Sequence, residues 1–388
     1  MGKTDDIKTN IQVTGFILEY TVGEILRQSG WDIISNRYYL DDLNGVPREI
    51  DILAYKKTKV KNINSYTCLL ISCKKSVKND WVFITKDKLN TSNNQIKVIS
   101  NKWTNDKLIE SLSGELENKK HLIFKLTADP EIRSCFESNK EVFAFQEVNK
   151  ESSKVNNDKP IFSSINSLIK AVNYELSKLP EKSTKPTICN FHLLSVVQTD
   201  FFEYHLNGEE VCVNEIHQTL YENKFIVNKK ERNYLVDFIT FNSFTDRLRV
   251  YNKVHLLFSE FYEKLLQGFY SNILDKRDKQ TIHYASYGQS LNNIIQNYIP
   301  FDDLEMFNLT GTVKRKDEFG TIELINVVFQ GKTLDSLTAN QKLLMEIKQW
   351  LEKWYFIENP VIKFVHDKSF DYGQDDPEQE EHYEDYLE

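Results

Sequence analysis

Arg48–Tyr55 reads REIDILAY and Tyr66–Lys75 reads YTCLLISCKK. Both runs are short, apolar and rich in Ile and Leu, and turn-forming stretches bound them: Asp41-Asp42-Leu43-Asn44-Gly45 before the first and Asn62-Ile63-Asn64-Ser65 between the two. That layout predicts two neighbouring β-strands. Side chains alternate faces along a strand, so Glu49 and Asp51 should share one side, with Ile50, Ile52 and Ala54 on the other. In the second run Leu69, Ile71 and Cys73 share a face, while Ser72 and Lys74 fall with Cys68 and Leu70. Two mostly buried strands thus each end in polar groups at i and i+2, and buried charge needs a partner or a metal.

Outward from these strands, Val13–Ser29 has a helical period and Trp31–Leu40 reads as a strand. Further strands are expected at His121–Leu126 and Glu141–Gln146, with a helix over Pro130–Ser138 between them. This alternation predicts an α/β fold, an N-terminal mixed sheet flanked by helices. Polar stretches at Glu147–Pro160 and Ser177–Pro186 read as linkers around a connector helix, Ile161–Leu176. Beyond them a second α/β unit is expected, with strands near Phe191–Gln198 and Tyr234–Phe241 and a long helix over Ser243–Phe269. A hairpin (308–314 with 321–329) and a closing helix, Ser336–Trp354, complete it. The division is then 1–150, a linker over 151–187, a C-terminal recognition or regulatory domain over 188–370, and a disordered acidic tail over 371–388.

In the first helix, Glu19 lies on the margin of the apolar stripe Leu18, Val22, Ile25, whereas the one-turn neighbours of Glu24 are polar. Glu19 is therefore expected to face inward and Glu24 to face water. A carboxylate from the helix, one from the first strand and a lysine from the next would converge on a divalent cation and a phosphate. Carboxylate and carbonyl oxygens suit Mg²⁺ (or Mn²⁺), with Asp51 the central ligand, Glu19 a further one, and Glu49 and the Cys73 carbonyl as additional candidates. Lysine adds positive charge beside a scissile phosphate or orients the attacking water. For Lys75 and Lys78, nucleic-acid phosphate contact competes evenly with a solvated-loop role.

An inward Glu in Gly15-Phe16-Ile17-Leu18-Glu19 with Gly30-Trp31, then Arg48-Glu49-Ile50-Asp51, then Ile71-Ser72-Cys73-Lys74, resembles the PD-(D/E)xK, or restriction-endonuclease-like, nuclease superfamily in its Mrr-like branch. The resemblance covers about residues 12–150. It implies a metal-dependent endonuclease hydrolysing DNA phosphodiesters, with Asp51, Lys74, Glu19 and Ser72 at the catalytic positions, a homodimer or partner subunit, and a role in bacterial defence against invading DNA. RNA stays open as a substrate. The sequence departs from the pattern at Ser72, where the superfamily places an acid two residues before the lysine. Glu49 or Glu19 replaces that carboxylate, or the chain is a degenerate nucleic-acid-binding or assembly subunit on the same scaffold.

Other chemistries find no support. The eight histidines show no HxxxH or HxH spacing, and with 13 glycines there is no phosphate-binding loop. No GxSxG elbow occurs. Asp237, in a strand-like run resembling that of Asp51, has no lysine-bearing strand after it and reads as structural. The five cysteines are scattered, the opening MGKTDDIKTN lacks a basic-then-apolar leader, and no apolar run reaches the ~18 residues of a membrane span, so a cytoplasmic protein with reduced thiols is expected. Removing the nine acids of 371–388 from a net charge of −8 leaves +1, and residues 1–100 hold 15 Lys and Arg against 11 Asp and Glu. The N-terminal part is mildly basic, as a polyanion partner would require.

Overall fold

The computed structural model describes residues 3–12, 14–41, 45–88, 101–183, 185–227, 230–299, 309–315, 321–326 and 332–366. The fold is mixed α/β and forms two compact units, Met1–Leu265 and Leu266–Glu388. The first unit opens with helices α1 (Lys3–Gln12) and α2 (Phe16–Gln28), then the antiparallel strands β1 (Asp32–Leu40), β2 (Pro47–Val60) and β3 (Ile63–Lys75). There follow β4 (Asn79–Asp87), β5 (Lys102–Thr104), α3 (Lys107–Gly114), α4 (Leu116–Ala128), α5 (Pro130–Arg133), β6 (Lys140–Asn149) and the 24-residue α6 (Lys159–Lys182). Then come β7 (Thr187–Gln198), β8 (Phe201–Asn207), β9 (Glu210–Ile216), β10 (Gln218–Val227), β11 (Lys230–Thr240) and α7 (Phe244–Tyr270).

The main sheet runs β1-β2-β3-β7-β11-β10, and β7 lies parallel to both β3 and β11. A parallel neighbour needs a crossover, and α6 supplies it on the way from β3 to β7. Its Ile161, Ile165, Leu168, Ile169 and Val172 pack on Leu53, Leu70, Cys189, Leu193 and Val236 to form one core. Burial at this density stabilises by roughly 1.5–3 kcal/mol per large aliphatic side chain. A second sheet, β6-β4-β8-β9, has at its centre the strands that follow β3 and β7 in the chain, and its Trp81, Phe83 and Phe201 join the same core.

That pairing moves the predicted domain boundary. The expected division at 150 and 188 cannot hold, because β7 and β11 are central strands of the sheet that β1–β3 begin; the unit ends at Leu265. The expected linker over 151–187 is mostly α6, whose apolar face covers that sheet, and Glu147, placed in a linker, is a buried acceptor for Trp81 Nε1 at 3.0 Å. The expected strand His121–Leu126 lies in α4: Leu122 and Leu126, four apart, are buried while Phe124 is exposed, a helical period hidden in a short apolar run.

In the second unit, α8 (Arg277–Gln296), β12 (Leu309–Arg315), β13 (Thr321–Asn326), α9 (Lys332–Ala339), α10 (Gln341–Trp354) and β14 (Val361–His366) follow in order. β12 and β13 form the expected antiparallel hairpin, and β14 adds in parallel to β13. Buried His283 on α8 sits among Tyr287, Trp350 and Tyr355, its Nε2 bonded to the Trp354 carbonyl at 2.8 Å. The acidic tail over 371–388 lies outside the described residues. No helix among the described residues is long and apolar enough to cross a membrane.

Candidate active site

The β2–β3 ladder runs from Val60↔Ile63 to Ile52↔Ile71 and stops there, while β3 stays paired with β7 as far as Lys75↔Gln198. Beyond Ile71, β3 therefore has backbone groups facing a strand that no longer answers them. A buried amide must find an acceptor. The Asp51 carboxylate takes this role, accepting from the Cys73 N–H at 2.5 Å. Lys74 Nζ lies 3.9 Å from the same oxygen, Oδ2. The acid and the ammonium named from the sequence thus meet where two strands part.

Electrostatics place Glu19 in the same neighbourhood. Burial, then the Asp51 charge, raise the Glu19 carboxyl above its ordinary range; Lys74 opposes and Glu49 adds to the rise. Asp51 is raised too, by burial first. Lys74 and the Cys73 N–H pull it down, and Glu49 pushes it up. Three carboxylates sharing one lysine make a pocket short of positive charge. Glu24 pairs with Arg27 on the outer face of α2, as its neighbours predicted.

Ser72 is 1% exposed, and its Oγ makes no hydrogen bond of good geometry, although the hydroxyl is near enough to Asp51 to favour the ionised carboxylate. Glu49 accepts from Asn36 Nδ2. The Cys73 thiol is buried and pushed well up, by burial and then by Asp51 and Glu19, so it stays protonated. Lys75 Nζ donates to the Gln12 carbonyl at 2.6 Å, and Lys78 is exposed in the turn before β4.

The donors suit a hard divalent cation: carboxylates that repel one another, one of them held in place by the Cys73 amide. Among the described residues no three His, Cys, Asp or Glu side chains stand close enough together to form a ready-made ligand set. A cation would have to draw Glu19 and Glu49 in toward Asp51.

Two residues near the site escaped the sequence reading. One is Asn36, whose amide donates to Glu49. Tyr39, 2% exposed, keeps its hydroxyl buried without a partner, and its pKa is pushed up to about 12 by burial, with Arg48 opposing and Asp41 and Asp51 adding. Nothing in its local sequence sets it apart from Tyr38. Asp237 is 2% exposed, accepts from Arg247 Nε at 2.6 Å and from Tyr251 Oη at 2.9 Å, and so forms a buried ion pair.

Compared with protein-family models, with curated proteins and with solved structures, the chain matches none of them.

Proposed function

We propose that the Met1–Leu265 unit is a metal-dependent nuclease of the PD-(D/E)xK kind that hydrolyses DNA phosphodiester bonds. The observation that carries this reading is Asp51 and Lys74 meeting at 3.9 Å at the end of the β2–β3 ladder, with the Glu19 carboxyl electrostatically coupled to both. A divalent cation held by Asp51 and Glu19 would supply Lewis-acid stabilisation and an accessible hydroxide. Asp51 is fixed by the Cys73 amide, so its second oxygen has a defined direction. Lys74 contributes a positive charge to a non-bridging phosphate oxygen and holds the attacking water against the phosphorus. Ser72 can orient Asp51 but adds no charge.

The test is cleavage of single- and double-stranded DNA and RNA with Mg²⁺ or Mn²⁺, by wild type, Asp51→Ala and Lys74→Ala. Loss in both variants with circular dichroism unchanged supports the reading. Failure of wild type on every substrate with either metal overturns it.

A second reading rests on Ser72 and on the absence of a gathered ligand set among the described residues: a nucleic-acid-binding subunit that keeps the scaffold without the chemistry. Mn²⁺ titration separates the two. Binding that vanishes in Asp51→Ala belongs to the enzyme, whereas DNA affinity without Mn²⁺ binding belongs to the subunit. A role in genome defence rests on the resemblance alone.

A further inference from the structure

The β1–β2 ladder is continuous from Asp32↔Tyr55 to Leu40↔Pro47 except at one position, Asn36 opposite Asp51. Asn36 has φ +54°, a left-handed conformation in mid-strand that costs most side chains on the order of 1–3 kcal/mol and that asparagine tolerates best after glycine. The packing shows what this kink does. Residues four apart on a regular strand share a face. Yet the Ile33 side chain lies against Gly23 of α2, within 3.2 Å of where a Cβ there would sit, while Arg37 Nε donates to Glu175 of α6 at 2.9 Å. Across the ladder, Ile50 and Leu53, three apart, enter the same α6 core. The two strands exchange faces together at Asn36 and Asp51.

The consequence reaches every acid of the site. At the crossover Asp51 belongs to neither face and turns along the sheet to the Cys73 amide. Glu49, the next residue but one, comes within electrostatic range of both Asp51 and Glu19, and its Oε1 accepts from Asn36 Nδ2. Asn36 therefore bears on both halves of the arrangement: it stands opposite Asp51 in the register, and its amide donates to Glu49.

We infer that Asn36 is a positioning residue for a divalent-cation site, and that the carboxylate it positions, Glu49, supplies the charge that Ser72 lacks. This rests on the nuclease reading above. The backbone of Asn36 aims Asp51, and its side-chain amide fixes Glu49, as ligand carboxylates are commonly held by a hydrogen-bond donor behind them.

The experiment is Mn²⁺ titration calorimetry on the full chain, with circular dichroism as a fold control. Asn36→Gly keeps the left-handed backbone accessible and removes only the amide. It should weaken Mn²⁺ binding about 10- to 100-fold. Glu49→Gln should weaken binding similarly, and the double variant should bind no worse than the weaker single one, because both remove the same contribution. Should Asn36→Gly misfold, Asn36→Ala also lacks the donor and adds no charge, and repeats the test at the cost of some backbone strain. Affinity within twofold of wild type in Asn36→Gly, or losses that multiply in the double variant, would overturn the inference while leaving the nuclease reading intact. If wild type does not bind Mn²⁺, or Asp51→Ala binds it as wild type does, the nuclease reading fails and the positioning role with it.

Discussion

Lys74→Met leaves the Asp51 carboxylate in place and removes its counter-charge. At 3.9 Å the attraction between unit charges is about 4 kcal/mol in an effective dielectric of 20. Most of that does not survive as stability. Lys74 is 30% exposed and Asp51 19%, so solvent screens the pair, and ordering the lysine costs entropy. A net loss of about 1–2 kcal/mol is expected, between the 0–1 of an exposed pair and the 3–5 of breaking a wholly buried one. For a unit of this size that is a fall of roughly 2–4 °C in Tm. Asp51→Asn should behave oppositely. Its amide oxygen still accepts the Cys73 N–H, the burial cost of a charge disappears, and the repulsion on Glu19 is relieved. Stability should hold within about 0.5 kcal/mol or rise, and Asp51→Asn/Lys74→Met should match Asp51→Asn alone. Urea unfolding at pH 7 measures all four proteins. If Asp51→Asn destabilises as much as Lys74→Met, Asp51 is a structural strand-end residue and the reasoning fails.

The pH dependence has a definite sign. Asp51 and Glu19 are raised in the folded state, so the stability they contribute is present at low pH and lost as pH rises from their ordinary values of 3.8 and 4.5 through the raised ones; urea midpoints for Asp51→Asn should show a flatter dependence there. Histidine works the other way: buried His255, held between Thr58 and Thr67 and lowered to about 4 by burial and by Lys56, stabilises the first unit above pH 6.5. That contribution should fall by about 1.4 kcal/mol per pH unit toward pH 4, and His255→Gln should remove this share of the slope and leave that of His192, likewise lowered to about 4 by burial. Arg247→Leu strands the buried Asp237 carboxylate and should cost about 3–5 kcal/mol in urea unfolding, without changing Mn²⁺ affinity in the folded protein. Removal of the surface carboxylate in Glu24→Ala should alter neither stability beyond about 0.5 kcal/mol nor metal binding.

Where local pattern and final environment agreed, the chain was readable. Leu18, Val22 and Leu26 recur at helical spacing and are buried in α2, and REIDILAY and YTCLLISCKK lie in β2 and β3. Asp51 and Lys74 could be named because each breaks an apolar strand with a charge. β4, β8–β10 and α8 were missed, and α4 was misread, because short or mixed apolar runs take their state from what they pack against. The linkers were misplaced for a related reason: polar residues at the ends of α6 and β6 look like connectors until the sheet beneath them is known.

Side-chain alternation and helical period are properties of neighbours along the chain, and they suffice for the α/β class, strands such as β2 and β3, and the chemically loaded residues on them. Only tertiary structure decided that β7 and β11 complete the sheet begun by β1–β3, since the parallel pairings join Ile71 to Leu194 and Leu193 to Val236, far apart along the chain. It also decided the setting of the acids. Strict alternation puts Glu49 and Asp51 on one regular face; the left-handed turn at Asn36 swaps the faces of both strands there and leaves Asp51 facing the Cys73 amide. A single φ angle carries no signature in residue spacing, and the ladder around it forces that angle.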